Sequence, residues 1–181
     1  MTNIKRLRYL LLTLLISCSD DDEKFTALID DDIQDNTAWQ YVSTANHTGA
    51  LDTHAYSSPE RSLKITALDT QADGFSFWTQ QLTTMDFPSG AKVVLKVKVK
   101  TEDVMGDGVF IAVRCDSDTG TNAFESTQGE TAIDGSRDFK EYTVEINSIP
   151  KGTTNMWVFL IMSGTATGTA YFDDVSLGYW Q

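Results

Sequence analysis

The sequence predicts an all-β protein, an antiparallel β-sandwich or jelly roll. Apolar and polar residues alternate with a period of two along most of the chain after Phe25. Gly, Asn, Asp and Ser separate these segments, as turns between strands require. No segment there has the period of a convincing helix, so a sandwich is favoured over a βαβ architecture.

The segment before these strands predicts export and lipidation. Lys5, Arg6 and Arg8 form a positive region, and a short apolar run occupies residues 9–16. That run is too short to span a bilayer and is typical of a signal peptide. Residues 15–18, Leu-Ile-Ser-Cys, resemble a bacterial lipobox. We therefore expect residues 1–17 to be a lipoprotein signal peptide and Cys18 to carry lipid, an ordinary secreted protein being the alternative.

Residues 18–36 are expected to hold the lipidated cysteine, a flexible acidic tether and a first strand. The acidic run at 20–23 resembles the export signal of surface lipoproteins in the Bacteroidota. This resemblance implies an outer-membrane protein that faces the cell exterior, beside other surface lipoproteins. The alternative is a solvated tether without a sorting role.

Residues 37–181 are expected to form one sandwich domain. The predicted strands, in chain order, are 38–43, 62–67, 74–83, 91–101, 108–115, 140–146, 155–162 and 169–177, and 25–29 is a further candidate. The clearest strand, 91–101, alternates Val93, Leu95, Val97 and Val99 with Val94, Lys96, Lys98 and Lys100. This alternation predicts one buried face and one solvated face.

Two strands carry more specific expectations. If 108–115 neighbours 91–101, Phe110 and Arg114 lie near Lys96 and Lys98 on an outer face. Strand 155–162 is apolar on both faces. It is therefore either a central strand covered on both sides or a strand with one face lining a groove.

Five short motifs resemble one family of jelly rolls. They are the ending at 163–177, which contains Tyr-Phe-Asp-Asp-Val-Ser-Leu, and the motifs Ser-Leu-Lys-Ile at 62–65, Gln80, Val-Lys-Thr-Glu-Asp-Val at 99–104 and Gly-Ser-Arg-Asp-Phe-Lys-Glu-Tyr-Thr-Val at 135–144. In this order they resemble galactose-binding-like domains, including carbohydrate-binding module families 4 and 9. Phe139 and Tyr171 stand where the family often has Trp, which leaves the ligand open.

The resemblance implies a structural calcium ion. In related jelly rolls an Asp at the position of Asp173 often joins oxygens of an N-terminal loop around Ca²⁺, and Asp31 or Asp30 would supply them here. Calcium prefers six to eight such hard oxygen ligands. The alternative is that Asp173 hydrogen-bonds to the main chain while the N-terminal acids are solvated.

The aromatic residues predict a sugar site. A sugar ring has an apolar C–H face ringed by hydroxyls, so its binder combines flat aromatic rings with planar polar side chains. Trp78 with Gln80, and Phe110 with Arg114, each place such a pair on one strand face. A core position for Trp78 is the competing interpretation. The expected ligand is a polysaccharide or oligosaccharide, and the alternative function is a structural or protein-interaction subunit without a sugar ligand.

Charge and motif content exclude other classes. The chain has 26 acidic and 14 basic residues, a net charge of −12, which argues against nucleic-acid binding. His47 and His54 lie in a polar region expected to be a loop, and Cys115 is expected to be a small buried residue. No recognisable catalytic motif is present. We therefore expect a protein that is not an enzyme, a small lyase or hydrolase being the weakest alternative.

Overall fold

The structure, a computed structural model, describes residues 23–68, 72–83 and 87–181. The predicted signal peptide, Cys18 and most of the acidic run lie outside these ranges. The described residues form strands and no helix, as predicted. The strands are β1 (Phe25–Asp31), β2 (Gln40–Ser43), β3 (His47–Asp52), β4 (Ser62–Ala67), β5 (Phe75–Thr83), β6 (Lys92–Ser117), β7 (Gly120–Ser126), β8 (Ile133–Ile146), β9 (Asn155–Ser163) and β10 (Thr169–Trp180). Within these ranges no helix has the length and apolarity needed to span a bilayer.

The strands form two antiparallel layers that share β6. The first sheet has the order β8, the first half of β6, β10, β4 and β3, and β1 pairs with the second half of β10. The second sheet has the order β2, β5, β9, the second half of β6 and β7. This architecture is the predicted β-sandwich of the jelly-roll type.

Strand β6 merges two segments that the sequence predicts as separate strands. Its residues up to Glu102 pair with β10, and its residues from Val109 onward pair with β9. Gly106 and Gly108 lie at the change of sheet, with φ angles of 82° and 74°. A Cβ at Gly106 would lie 2.5 Å from the carbonyl oxygen of Thr165, so this crossing requires glycine.

The core lies between the two sheets and follows the predicted alternation. Val93, Leu95 and Val97 are fully buried, and their lysine neighbours point outward. In the second half of β6, Ile111 and Val113 are fully buried in the same core. Burial of each such side chain contributes roughly 1.5–3 kcal/mol, which fixes the strand faces.

Several strands differ from the prediction. The structure places β3 and β7 in segments without a predicted strand, and β3 makes His47 a buried residue. Strand β1 pairs along its whole length with β10, so the sandwich begins at Phe25 rather than at residue 37.

Candidate functional site

An aromatic groove lies on the outer face of the second sheet. Cross-strand pairing places Phe77 of β5 opposite Ile161 of β9, and Ile161 opposite Phe110 of β6. The groove has a volume of about 290 Å³. Its lining residues are Phe75, Phe77, Phe110, Arg114, Phe124, Gln128, Phe159 and Ile161. It is therefore an apolar surface with very few polar groups.

The rings of the groove pack against one another at defined angles. Phe75 meets Phe110 edge to face at 5.9 Å, and Phe77 meets Phe159 in the same manner at 5.6 Å. Phe110 is only 3% exposed and forms part of the floor, whereas Phe75 is 43% and Phe124 48% exposed. The two half-exposed rings provide apolar faces that a ligand can cover.

Arg114 is the charged residue of this groove. Its Nε and Nη2 donate to Oδ2 of Asp116 at 3.1 and 2.9 Å. Its guanidinium carbon lies 5.4 Å from the ring centre of Trp157 and 5.2 Å from that of Phe159. A carboxylate along one edge and two aromatic rings hold the guanidinium in place, so its remaining N–H groups have a fixed direction.

The four predicted ligand-binding residues divide between the two faces of the second sheet. Phe110 and Arg114 lie in the groove. The prediction that Trp78 contacts a ligand is wrong, because this residue is 3% exposed and lies in the core. Its Nε1 donates there to the carbonyl oxygen of Lys64 at 3.1 Å. Gln80 shares the strand face of Trp78, and its buried Oε1 has no hydrogen-bond partner among the described residues.

The predicted position of Phe110 and Arg114 beside the lysines is also wrong. The two halves of β6 belong to different sheets, so Lys96 and Lys98 lie on the outer face of the first sheet. There Lys96 pairs with Glu141 at 3.6 Å and Lys98 with Asp174 at 2.7 Å. These lysines cannot contribute to the groove.

Sequence reasoning missed Phe77 and Phe159, the two central rings. The signal was the second interpretation of strand 155–162, in which one of its apolar faces lines a groove. In the structure Trp157, Phe159 and Ile161 form that face, while Val158 and Leu160 are fully buried in the core. Once Trp78 is known to lie in the core, the alternation of β5 places Phe77 on the groove face.

The residues predicted to bind calcium do not fit the ion. Asp173 is fully buried, and its two oxygens accept hydrogen bonds from the main-chain N–H groups of Ser57, Ser58 and Asp174 and from the Ser58 hydroxyl, at 2.6–3.0 Å. Asp31 accepts from the N–H of Ile33 and from Nε1 of Trp39, both at 2.8 Å.

The third predicted ligand, Asp30, is an exposed residue of β1. Across the ranges 23–68, 72–83 and 87–181, no three His, Cys, Asp or Glu side chains group as a metal site. The oxygens of Asp173 and Asp31 thus accept hydrogen bonds from the protein itself, and these carboxylates stabilise loops.

His47 is buried rather than solvated, and it joins three segments. Its Nδ1 lies 2.9 Å from the hydroxyl of Ser76, and its Nε2 lies 3.2 Å from the carbonyl oxygen of Ala166. The carbonyl can only accept, so Nε2 carries a proton and Nδ1 of the neutral ring accepts from Ser76. Burial lowers the pKa of His47 below 6.5, although the hydrogen bond to Ala166 opposes this shift.

The fold is similar to those of several solved structures. The Stig cyclase Fisc from Fischerella sp. TAU, in complex with (3Z)-3-(1-methyl-2-pyrrolidinylidene)-3H-indole, has a TM-score of 0.61 and 14% identity over 86% of this chain and 88% of that chain. The CBM22-1 xylan-binding domain of Paenibacillus barcinonensis Xyn10C has a TM-score of 0.57 and 13% identity over 85% and 94%. No family model and no curated protein matches the sequence.

A third match combines a module with a catalytic domain. The CBM22-1–GH10 modules of Clostridium thermocellum Xyn10B, complexed with xylohexaose, have a TM-score of 0.58 and 16% identity over 84% of this chain and 28% of that chain. At these identities the matches show a common fold alone. The expected likeness to carbohydrate-binding modules holds at that level, with modules of family 22 where the motifs indicated families 4 and 9.

The expectation that the protein is not an enzyme is overturned by the cyclase matches. These are enzymes, and two of them have TM-scores of 0.61 and 0.60, against 0.57 for the xylan-binding CBM22-1 domain. The expectation depended on the absence of known catalytic motifs, and a fold hosts chemistry without such motifs.

Proposed function

We propose that the protein binds carbohydrate in the aromatic groove of the second sheet. The support is the combination of half-exposed rings, an apolar floor and one oriented guanidinium. A sugar ring places its C–H face on an aromatic ring while its hydroxyls accept hydrogen bonds from planar donors. The similarity in fold to the xylan-binding CBM22-1 domain supports the same class of ligand.

The observation that carries this proposal is the exposure of Phe75 and Phe124. Both rings are more than two-fifths exposed, and they line the same concave surface as Phe77 and Phe159. Single exposed apolar residues are common, but several rings gathered in one groove indicate a binding site. The concave shape favours a ligand that fills a groove over a flat protein partner, which is the alternative function.

Arg114 supplies the hydrogen-bonding half of the proposed site. Two of its five N–H groups donate to Asp116, and among the described residues the other three have no acceptor. The guanidinium is already ordered by Asp116 and by the two rings, so a sugar hydroxyl meets a donor whose orientation costs little entropy. Asp116 neutralises its charge, which suits an uncharged hydroxyl.

Isothermal titration calorimetry of the purified protein with xylohexaose and a panel of other oligosaccharides tests the proposal. Phe75→Ala and Phe124→Ala should each weaken binding at least about five-fold, because each removes an exposed aromatic face of the groove. Phe25→Ala is the matched control, since Phe25 is 38% exposed and packs at a tilt against Trp180 on the first sheet. No binding across the panel, or equal losses for all three variants, contradicts the proposal.

A second candidate is a small apolar ring compound. The observation that favours it is the scarcity of polar groups, because the groove offers only Arg114 and Gln128 among eight lining residues. The match to a cyclase in complex with an indole compound supports the same idea. Indole binding that is lost in Phe75→Ala, together with no oligosaccharide binding, would favour this candidate over carbohydrate.

We further propose that a lipid on Cys18 anchors the protein to the outer membrane on its exterior side. The support is the sequence alone, with a basic region, an apolar run, Ser17 and Cys18 in the expected order, followed by an acidic run. Such an anchor would leave the sandwich from Phe25 onward free to meet polysaccharide or other surface lipoproteins.

A further inference from the structure

A second, polar pocket continues the aromatic groove. It has a volume of about 340 Å³ and shares Phe110 and Gln128 with the groove. Its walls come from the sheet crossing of β6 around Gly106 and from the loop between β7 and β8. A ligand longer than one ring therefore passes from the apolar groove into a polar extension.

The charged side chains that line this extension are all acidic. Asp107, Glu130 and Asp134 line it, and no lysine or arginine does. Asp134 pairs with Arg137 at 2.8 Å, and Asp107 accepts a hydrogen bond from Thr165 at 2.7 Å. The carboxylate of Glu130 has no ion pair or hydrogen bond among the described residues.

The groove itself offers no compensating positive charge. Arg114 is its one charged residue, and Asp116 lies 2.9 Å from it. Asp134 is paired with Arg137, so Asp107 and Glu130 are the two carboxylates of the groove and extension that no basic side chain of the described residues neutralises. These carboxylates repel anionic groups of a ligand and attract cationic groups.

We infer that the ligand is a glycan that carries protonated amines, with a sugar ring on the phenylalanines and an ammonium group near Glu130. The inference rests on the proposed carbohydrate binding and adds the charge of the ligand to it. A glycan with carboxylates or sulfates places like charge against Asp107 and Glu130 and is excluded. The N–H donors of Arg114 still serve the neutral hydroxyls of the same chain.

The test compares three hexasaccharides, of glucosamine, N-acetylglucosamine and galacturonic acid, by calorimetry at pH 6 and low salt. The glucosamine hexamer should bind most tightly, the galacturonate hexamer should not bind, and added NaCl should weaken the glucosamine complex. Glu130→Gln should weaken that complex roughly two- to five-fold and leave the N-acetylated hexamer unaffected. Glu141→Gln is the matched control, because it makes the same charge change on the first sheet.

The possible failures are distinguishable. Equal affinity for the glucosamine and N-acetylglucosamine hexamers, with no effect of Glu130→Gln, overturns the inference and leaves the proposed carbohydrate binding intact. Tight binding of the galacturonate hexamer also overturns the inference alone. Failure of all three hexamers and of xylohexaose overturns both.

Discussion

The buried carboxylate of Asp173 accepts hydrogen bonds from both the main-chain N–H and the hydroxyl of Ser58, a residue 115 positions earlier in the chain. The N–H of Ser57 donates to the same carboxylate at 2.6 Å. One side chain of β10 thus holds the loop between β3 and β4 in place. Burial raises the pKa of Asp173 and the four donors oppose that rise, so the carboxylate depends on all of them.

Asp173→Asn should lower the free energy of unfolding by about 2 kcal/mol or more. The amide replaces an acceptor oxygen with a donor and leaves buried N–H groups of the loop without partners. Denaturation in urea measures the change. Asp174→Asn is the control, because its carboxylate forms a part-exposed pair with Lys98, worth less than about 1 kcal/mol. Equal losses in the two variants would contradict the assigned role.

The stability of the protein should decrease as the pH falls from 7.5 to 5. Burial holds the pKa of His47 below 6.5, so in this range the unfolded chain binds a proton that the folded protein does not. The contribution of neutral His47 to the free energy of unfolding is therefore fully present above the pKa of histidine in the unfolded chain, and it is lost as the pH falls below that value. His47→Gln should remove most of the pH dependence of the melting temperature, whereas His54→Gln, at an exposed position, should retain it.

Arg114→Lys should weaken oligosaccharide binding about ten-fold with little change in melting temperature. Lysine keeps the charge but lacks the planar fork that bonds Asp116 and lies over Trp157 and Phe159. Calorimetry measures the affinity. Arg61→Lys serves as control, since Arg61 donates to the carbonyl oxygen of Gln34 away from the groove. Unchanged affinity in Arg114→Lys would show that Arg114 does not bind the ligand.

Cys115 should be unreactive towards a thiol reagent in the folded protein. It is fully buried, and burial raises the pKa of its thiol to about 11, with Asp116 contributing to the same rise. In a Cys18→Ser variant at pH 8, Ellman's reagent should modify one thiol only after denaturation. Rapid modification under native conditions would show that the second sheet opens locally.

Cys18→Ser should move the protein from the membrane fraction to the soluble fraction of its host. The lipid chains would supply the membrane affinity, and serine cannot carry them through a thioether. Detergent-phase partitioning and labelling with a radioactive fatty acid measure the change. The same distribution for wild type and variant would contradict a lipid anchor at this residue.

The alternation of residues 93–99 was sufficient to predict the core face of β6, because that face is apolar throughout and the opposite face carries the lysines, with Val94 as the one apolar residue among them. The candidate site was predicted less well. In β5 both faces carry an aromatic residue, Phe77 on one and Trp78 on the other, and local periodicity does not indicate which of them faces the groove. Only the pairing with β9 decides this, and such pairing depends on residues far apart in sequence.

Strands β3 and β7 were missed for a related reason. They contain few branched apolar residues and begin with His47 and Gly120, so their strand structure comes from pairing with β4 and β6 rather than from intrinsic preference. The burial of His47 depends in turn on Ser76 and Ala166. No local pattern of the sequence brings these residues together.

The pairing of β1 with β10 also determines when the protein can finish folding. Phe25 lies opposite Trp180, and among the described strands β10 is the one partner of β1. During synthesis, the first strand therefore waits until some 150 later residues have emerged. Closure of so long a loop is slow, so the native state is reached only after the ribosome has completed this region.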